Sequence, residues 1–126
     1  MPHTTIHTLD APRPIGPYSQ GTGAGPFIFI SGQIPLDPAT GSLSGDTIET
    51  QGKQALRNLK AVLAAAGLGP EDLVKTTVFI RSMADFGAFN ALYEEELGGA
   101  KPARSVVEVS ALPKAALVEI EAIACR

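Results

Sequence analysis

Within the stretch KPARSVVEVSALPKAALVEIEAIACR, which closes this chain, Arg104, Glu108, Glu119 and Glu121 are charged side chains set into otherwise apolar segments. Arginine presents a planar fork of donors that matches a carboxylate, so Arg104 is a candidate anchor for an anionic ligand. On local features alone it reads equally as a surface arginine, or as a structural partner of Glu119 or Glu121. The stretch forms two β-strands joined by a loop. If both are regular, alternation puts Arg104, Val106 and Glu108 on one face with Leu117, Glu119, Glu121 and Ile123. Ser105, Val107 and Val109, with Val118, Ile120, Ala122 and Ala124, then face the opposite way, toward the core.

Other residues that could do chemistry read as structure. The run GTGAGP (21–26) has the glycines of a phosphate-binding loop, but such a loop leads from a strand into a helix. This one leads into a strand at Pro26 and is a hairpin turn. His3 and His7 share a strand face without a third ligand nearby, and no His, Cys and carboxylate cluster has metal spacing. Cys125 is a small hydrophobe near the end of a strand. Ser31, in ISGQ, lacks a nucleophile-elbow context and a histidine partner, which argues against a serine hydrolase. Its hydroxyl and the Gly32 backbone remain able to bind a ligand.

The elements that must position these residues follow from periodicity and turn chemistry. HTTIHTL (3–9) reads as a first strand, and DAPRPIGPY (10–18), rich in proline, as a loop of largely fixed course. YSQGTGAG and PFIFISGQI form two strands across a glycine-rich turn, and 35–46 is turn chemistry throughout. Asp46 with Glu49 predicts a capping box, and Leu56, Leu59, Leu63 and Ala66 give the helix behind it one apolar stripe. Gly67, Gly69 and Pro70 stop that helix. LVKTTVFIR (73–81) is a β-branched strand. Asp85 is the expected cap of a second helix, with Phe86, Phe89, Tyr93 and Leu97 on its apolar face and Gly98 and Gly99 at its end. The order βββ-α-β-α-ββ predicts an α+β fold, a mixed sheet of six strands with two helices on one face. The other sheet face has no helix to cover it, and Val106, Leu117 and Ile123 on it favour contact with another subunit.

The chain has 126 residues, the size of one domain, so 1–126 is read as a single unit. One cysteine excludes an internal disulfide, no apolar run is long enough to span a membrane, and the N-terminal segment has no signal-peptide pattern. The expected compartment is the cytoplasm. A net charge of −3 with scattered basic residues argues against a nucleic-acid partner.

Several segments then fall together in order. PIGPYSQ (14–20), ISGQIPLDPATG (30–41), the spacing of Gln51, Gln54 and Asn58, FNALY (89–93), PARSVVEV (102–109) and VEIEAIA (118–124) resemble the RidA family (YjgF, reactive intermediate deaminases) over essentially the whole chain. The resemblance implies a chorismate mutase-like fold and a homotrimer with sites between subunits. It also implies hydrolysis of 2-imino or enamino acids such as 2-aminoacrylate to a 2-keto acid and ammonia, without metal or organic cofactor. By the same resemblance Arg104 binds the substrate carboxylate and Glu119 is the catalytic glutamate. Tyr18, Ser31, Gly32, Asn90 and Val106 are the implied substrate-binding residues. Val106 is a departure, since close relatives carry cysteine two residues after the arginine.

Two other classes of function compete with the deaminase. A non-catalytic module would use the same clefts to bind a small ligand or hold a protein, and would bind a 2-keto acid without turning over imines. An endoribonuclease or translation inhibitor is opposed by the acidic charge balance and the absence of a catalytic histidine.

Overall fold

The computed structural model describes residues 3–126. Its strands are β1 (Thr4–Ile6), β2 (Gly21–Ala24), β3 (Phe27–Gln33), β4 (Leu73–Ile80), β5 (Ala103–Glu108) and β6 (Val118–Cys125), and its helices are α1 (Ile48–Ala65) and α2 (Phe86–Glu96). They build one six-stranded sheet in the order β1-β2-β3-β6-β4-β5. Every neighbouring pair is antiparallel except β4 and β5, which are parallel and joined through α2, so the sheet is mixed. This is the α+β architecture expected from the element order.

Side-chain period decides which face is buried. In β3, Ile28 and Ile30 are buried while Phe27 and Phe29 are exposed, and in β6 Val118, Ile120, Ala122 and Ala124 are buried. Ala55, Leu56, Leu59, Val62 and Leu63 of α1 are fully buried at three-and-four spacing, and Phe89 and Tyr93 of α2, with Leu97 at its C-cap, are buried at intervals of four. Both helices thus pack on one face, and the opposite face has no cover of its own.

Boundaries differ from expectation where capping chemistry decides them. The first strand is confined to Thr4–Ile6. The N-cap of α1 is Thr47, whose hydroxyl accepts from the Thr50 amide at 3.2 Å, rather than Asp46. Asp85 makes no side-chain cap, because a 3₁₀ turn at Met83–Asp85 precedes α2 and Ser82 caps that turn.

The polar stripe of α1 is a set of staples. Asn58, fully buried, donates to the carbonyls of Ile34 (3.1 Å) and Leu36 (2.9 Å) and accepts from Gln54 (2.8 Å). Gln51 donates to the Gly45 carbonyl (3.0 Å) and accepts from the Leu117 amide (2.8 Å). These bonds satisfy buried backbone groups of the long 34–45 connection and of the start of β6, which positions both beside the sheet.

The assignment of faces to β5 is reversed. Residues opposite one another in a ladder point to the same side. Arg104, Val106 and Glu108 pair with Thr76, Val78 and Ile80 of β4, all three of which are buried toward the helices. Val106 accordingly packs against the core, and Val107 on the open face is 43% exposed. Arg104 therefore lies on the helix face, while Glu119, opposite Phe79, and Glu121, opposite Thr77, lie on the open face.

Candidate active site

The candidate site residues form two groups on opposite sides of the sheet. The first is a cavity of about 430 Å³ lined by Ile15, Tyr18, Ser31, Gly32, Ile34, Pro113, Glu119 and Glu121. Gln20 sets one wall: its amide nitrogen donates to the carbonyls of Thr8 (3.0 Å), Ala11 (3.2 Å) and Pro12 (2.8 Å), and its oxygen accepts from the Thr8 amide (2.8 Å). This buried glutamine pins the proline-rich loop, so that Ile15 and Tyr18 stand at the mouth.

A β-bulge makes the floor. Ile30 pairs with Ala122 and Gln33 with Ile120, so Ser31 and Gly32 together oppose Glu121 alone. The extra residue turns the Ser31–Gly32 backbone toward the open face. The Ser31 hydroxyl donates to the Ser19 carbonyl at 2.6 Å, tying the bulge to the loop. The Glu119 side chain lies directly on Gly32. A Cβ built at Gly32 would stand 2.8 Å from the Glu119 carboxyl carbon and overlap a carboxyl oxygen. Burial, and secondly the nearby Glu121, raise the pKa of Glu119 above its ordinary value. Among the described residues no lysine or arginine forms an ion pair with either glutamate.

Before β6 the chain makes a left-handed turn without glycine, with Lys114 at φ 56° and Ala115 at φ 57°. It presents Pro113 to the cavity wall.

The second group surrounds Arg104. One guanidinium nitrogen donates to Asn90 Oδ1 at 2.8 Å. The guanidinium carbon lies 4.7 Å from the Tyr93 ring centroid and 5.5 Å from that of Phe86. Beside it opens a cavity of about 240 Å³ whose lining includes Asn90, Tyr93, Glu94, Lys101, Pro102 and Arg104.

Of the seven expected site residues, Tyr18, Ser31, Gly32 and Glu119 meet in one cavity, and Arg104 and Asn90 in the other. Val106 packs under the strand. Glu108, on the helix side, accepts from the Met83 amide at 2.7 Å and so secures the turn before α2. Two features escaped the reading of the sequence: the wall residues Ile15, Ile34 and Pro113, and the aromatic platform under Arg104. The last had a signal, because Phe86, Asn90 and Tyr93 recur at the four-and-three spacing of one helix face. Among the described residues no cluster of three His, Cys, Asp or Glu could hold a metal, and no helix is long and apolar enough to cross a membrane.

The geometry can hold an anion at Arg104 and move a proton at Glu119, provided both faces reach one ligand. Comparison with known proteins bears on that chemistry. A family model described as endoribonuclease L-PSP matches residues 8–126. The chain is 54% identical over 119 residues to a RutC family protein of Pyrococcus horikoshii, covering 94% of each. It is 50% identical over 125 residues to the 2-iminobutanoate/2-iminopropanoate deaminase of Salmonella typhimurium, covering 97% of each. The crystal structure of the YjgF gene product of E. coli superimposes with a TM-score of 0.91 at 48% identity, covering 98% of each chain.

Proposed function

This chain belongs to the endoribonuclease L-PSP family, that of the YjgF and RidA proteins, and we propose that it is an imine deaminase. Its substrates are 2-imino and enamino acids with small side chains, such as 2-aminoacrylate. One observation carries the reading: a half-buried carboxyl group with a raised pKa lies on a glycine bulge in a cavity walled by Ile15, Tyr18, Ile34 and Pro113. Such a group is a better base than a solvated glutamate, and its apolar walls suit a compact substrate.

The division of the residues between sheet faces supports an assembly in which one copy supplies Arg104 and Asn90 and the next supplies Glu119, Gly32, Ser31 and Tyr18. A contact that joins unlike surfaces closes into a ring when the rotation allows, and a homotrimer is the ring proposed here. Phe27, Phe29 and Val107, each 43% exposed on the uncovered face, are suited to burial between copies.

Arg104 holds the substrate carboxylate by paired hydrogen bonds and so fixes the C=N carbon opposite Glu119. Ionised Glu119 takes a proton from a water molecule as its oxygen adds to the protonated imine carbon. The adduct carries hydroxyl and amine on one carbon. Glu119 gives that proton to the nitrogen and takes the hydroxyl proton as the C–N bond breaks and the carbonyl forms, leaving the 2-keto acid and ammonia, which carries the proton away as ammonium. The Ser31 hydroxyl and the bulge backbone orient the substrate, and the Tyr18 ring closes the pocket. The site is proposed to work in the cytoplasm.

The test is release of pyruvate and ammonia from 2-aminoacrylate generated in situ by a serine or cysteine lyase, followed by loss of the enamine absorbance. Faster decay with the wild-type protein and none with Arg104→Ala is expected. No acceleration by the wild type, with binding of a 2-keto acid retained, would favour the ligand-binding module instead. Salt-dependent RNA binding with cleavage would favour the activity that the family description names.

A further inference from the structure

Arg104 reaches its cavity on a side chain with four rotatable bonds, so something must hold the guanidinium in one plane if it is to meet a carboxylate with two bonds at once. We infer that Tyr93 is the residue that does so: a positioning residue for the carboxylate anchor, resting on the deaminase reading given above.

The supporting geometry is a closed circuit. The Tyr93 ring lies under the guanidinium at 4.7 Å and attracts it through its π face. The Tyr93 hydroxyl is 2.7 Å from the Thr76 hydroxyl in a buried hydrogen bond. Thr76, fully buried on β4, is the in-register neighbour of Arg104 on β5. The ring is therefore tied at its far end to the strand pair that carries the arginine, and its packing within the core keeps its face under the guanidinium even without that tie. Asn90, one helical turn before Tyr93, fixes the rotation of the guanidinium about its stem by accepting from Nη1 at 2.8 Å. Tyr93 is only 7% exposed and borders the cavity chiefly as the surface on which the Arg104 guanidinium rests, so it acts through Arg104. Phe86, at 5.5 Å, lies further from the guanidinium and its ring has no such tie.

The circuit separates two roles that a single substitution could confuse. The hydroxyl bond to Thr76 is a matter of stability, since its loss leaves a buried hydroxyl unpaired. The ring face is a matter of ligand recognition.

The experiment is calorimetric titration with pyruvate and with its uncharged analogue pyruvamide, which reads carboxylate recognition without requiring turnover. The wild type is expected to prefer pyruvate. Tyr93→Leu, and Tyr93→Met whose flexible side chain refills the space without a ring face, are expected to lose about tenfold of that preference. Both are measured well below their melting temperatures. Tyr93→Phe is expected to restore the preference while melting lower than the wild type, and adding Thr76→Val is expected to recover much of that stability. Wild-type preference in a folded Tyr93→Leu or Tyr93→Met protein would overturn the positioning role and leave the deaminase reading intact. A wild type that binds both compounds equally would overturn the carboxylate anchor, and the role of Tyr93 with it.

Discussion

Arg104 and Glu119 sit on the two strands that flank β4, yet their side chains leave the sheet on opposite faces: Arg104 beside Thr76 toward the helices, Glu119 beside Phe79 toward the open face. In a ring of copies, a site that uses both must therefore draw them from different chains. Arg104→Ala is expected to cost about 2–5 kcal/mol of transition-state binding, as for a desolvated charge that loses its partner. Glu119→Gln is expected to lower kcat by about 10²–10⁴-fold with the fold intact. When the two variants are refolded together, activity should return to about a quarter of the wild type, because each site then draws each half at random from the two kinds of chain. A mixture as inactive as its components would place both residues in one chain's site.

Gly32→Ala should separate fold from function. The atoms its Cβ would meet belong to the movable end of Glu119, so the backbone need not shift but the carboxylate must. Activity should fall by roughly 10²-fold, the scale expected of a displacement near 1 Å, while the melting temperature changes little. A variant with normal turnover would show that Glu119 does not work from its place on the bulge.

The acidic limb of kcat/KM should lie above the ordinary carboxylate range, because burial first and Glu121 second oppose ionisation of Glu119. Glu121→Gln removes the second cause and should move that limb to lower pH. A limb that stays in place, or moves up, would exclude Glu119 as the titrating base.

Stability should carry the opposite signature. A carboxyl group whose pKa is raised by folding favours the fold when protonated, and that contribution is lost as pH rises through the folded-state value. Glu119→Gln, neutral at every pH, should thus be more stable than the wild type at pH 7. The gap should narrow as pH falls into the carboxylate range. Urea denaturation at several pH values checks the sign.

Asn58→Ala should be among the more costly single changes outside the apolar core. It leaves the carbonyls of Ile34 and Leu36 without their donor and Gln54 without its acceptor, a loss of about 2–4 kcal/mol in urea unfolding. A change of under about 0.5 kcal/mol would mean that the 34–45 connection holds its course without α1.

Much of this protein is written in local pattern. Leu56, Leu59 and Leu63 announce α1 by spacing alone, the alternation of Val118, Ile120, Ala122 and Ala124 orients β6, and PAR, GPYSQ and VEIE carry the family resemblance that implies the candidate site residues. Each of these signals is carried by neighbours in the chain, so it survives without knowledge of the fold. The face of β5 was not available in this way. Val106 and Val107 make both of its faces apolar, and as an edge strand it has only β4 to settle the matter. The parallel register with Thr76, Val78 and Ile80 turned Arg104 toward the helices and onto the Tyr93 ring. The bulge at Ser31–Gly32 is likewise a property of a pair of strands, visible only once β3 is laid against β6. Side-chain identity and period are local, whereas register, bulge and the choice of face arise from hydrogen bonds between residues far apart in sequence. Those bonds decided that Arg104 and Glu119 lie on opposite sides of the sheet.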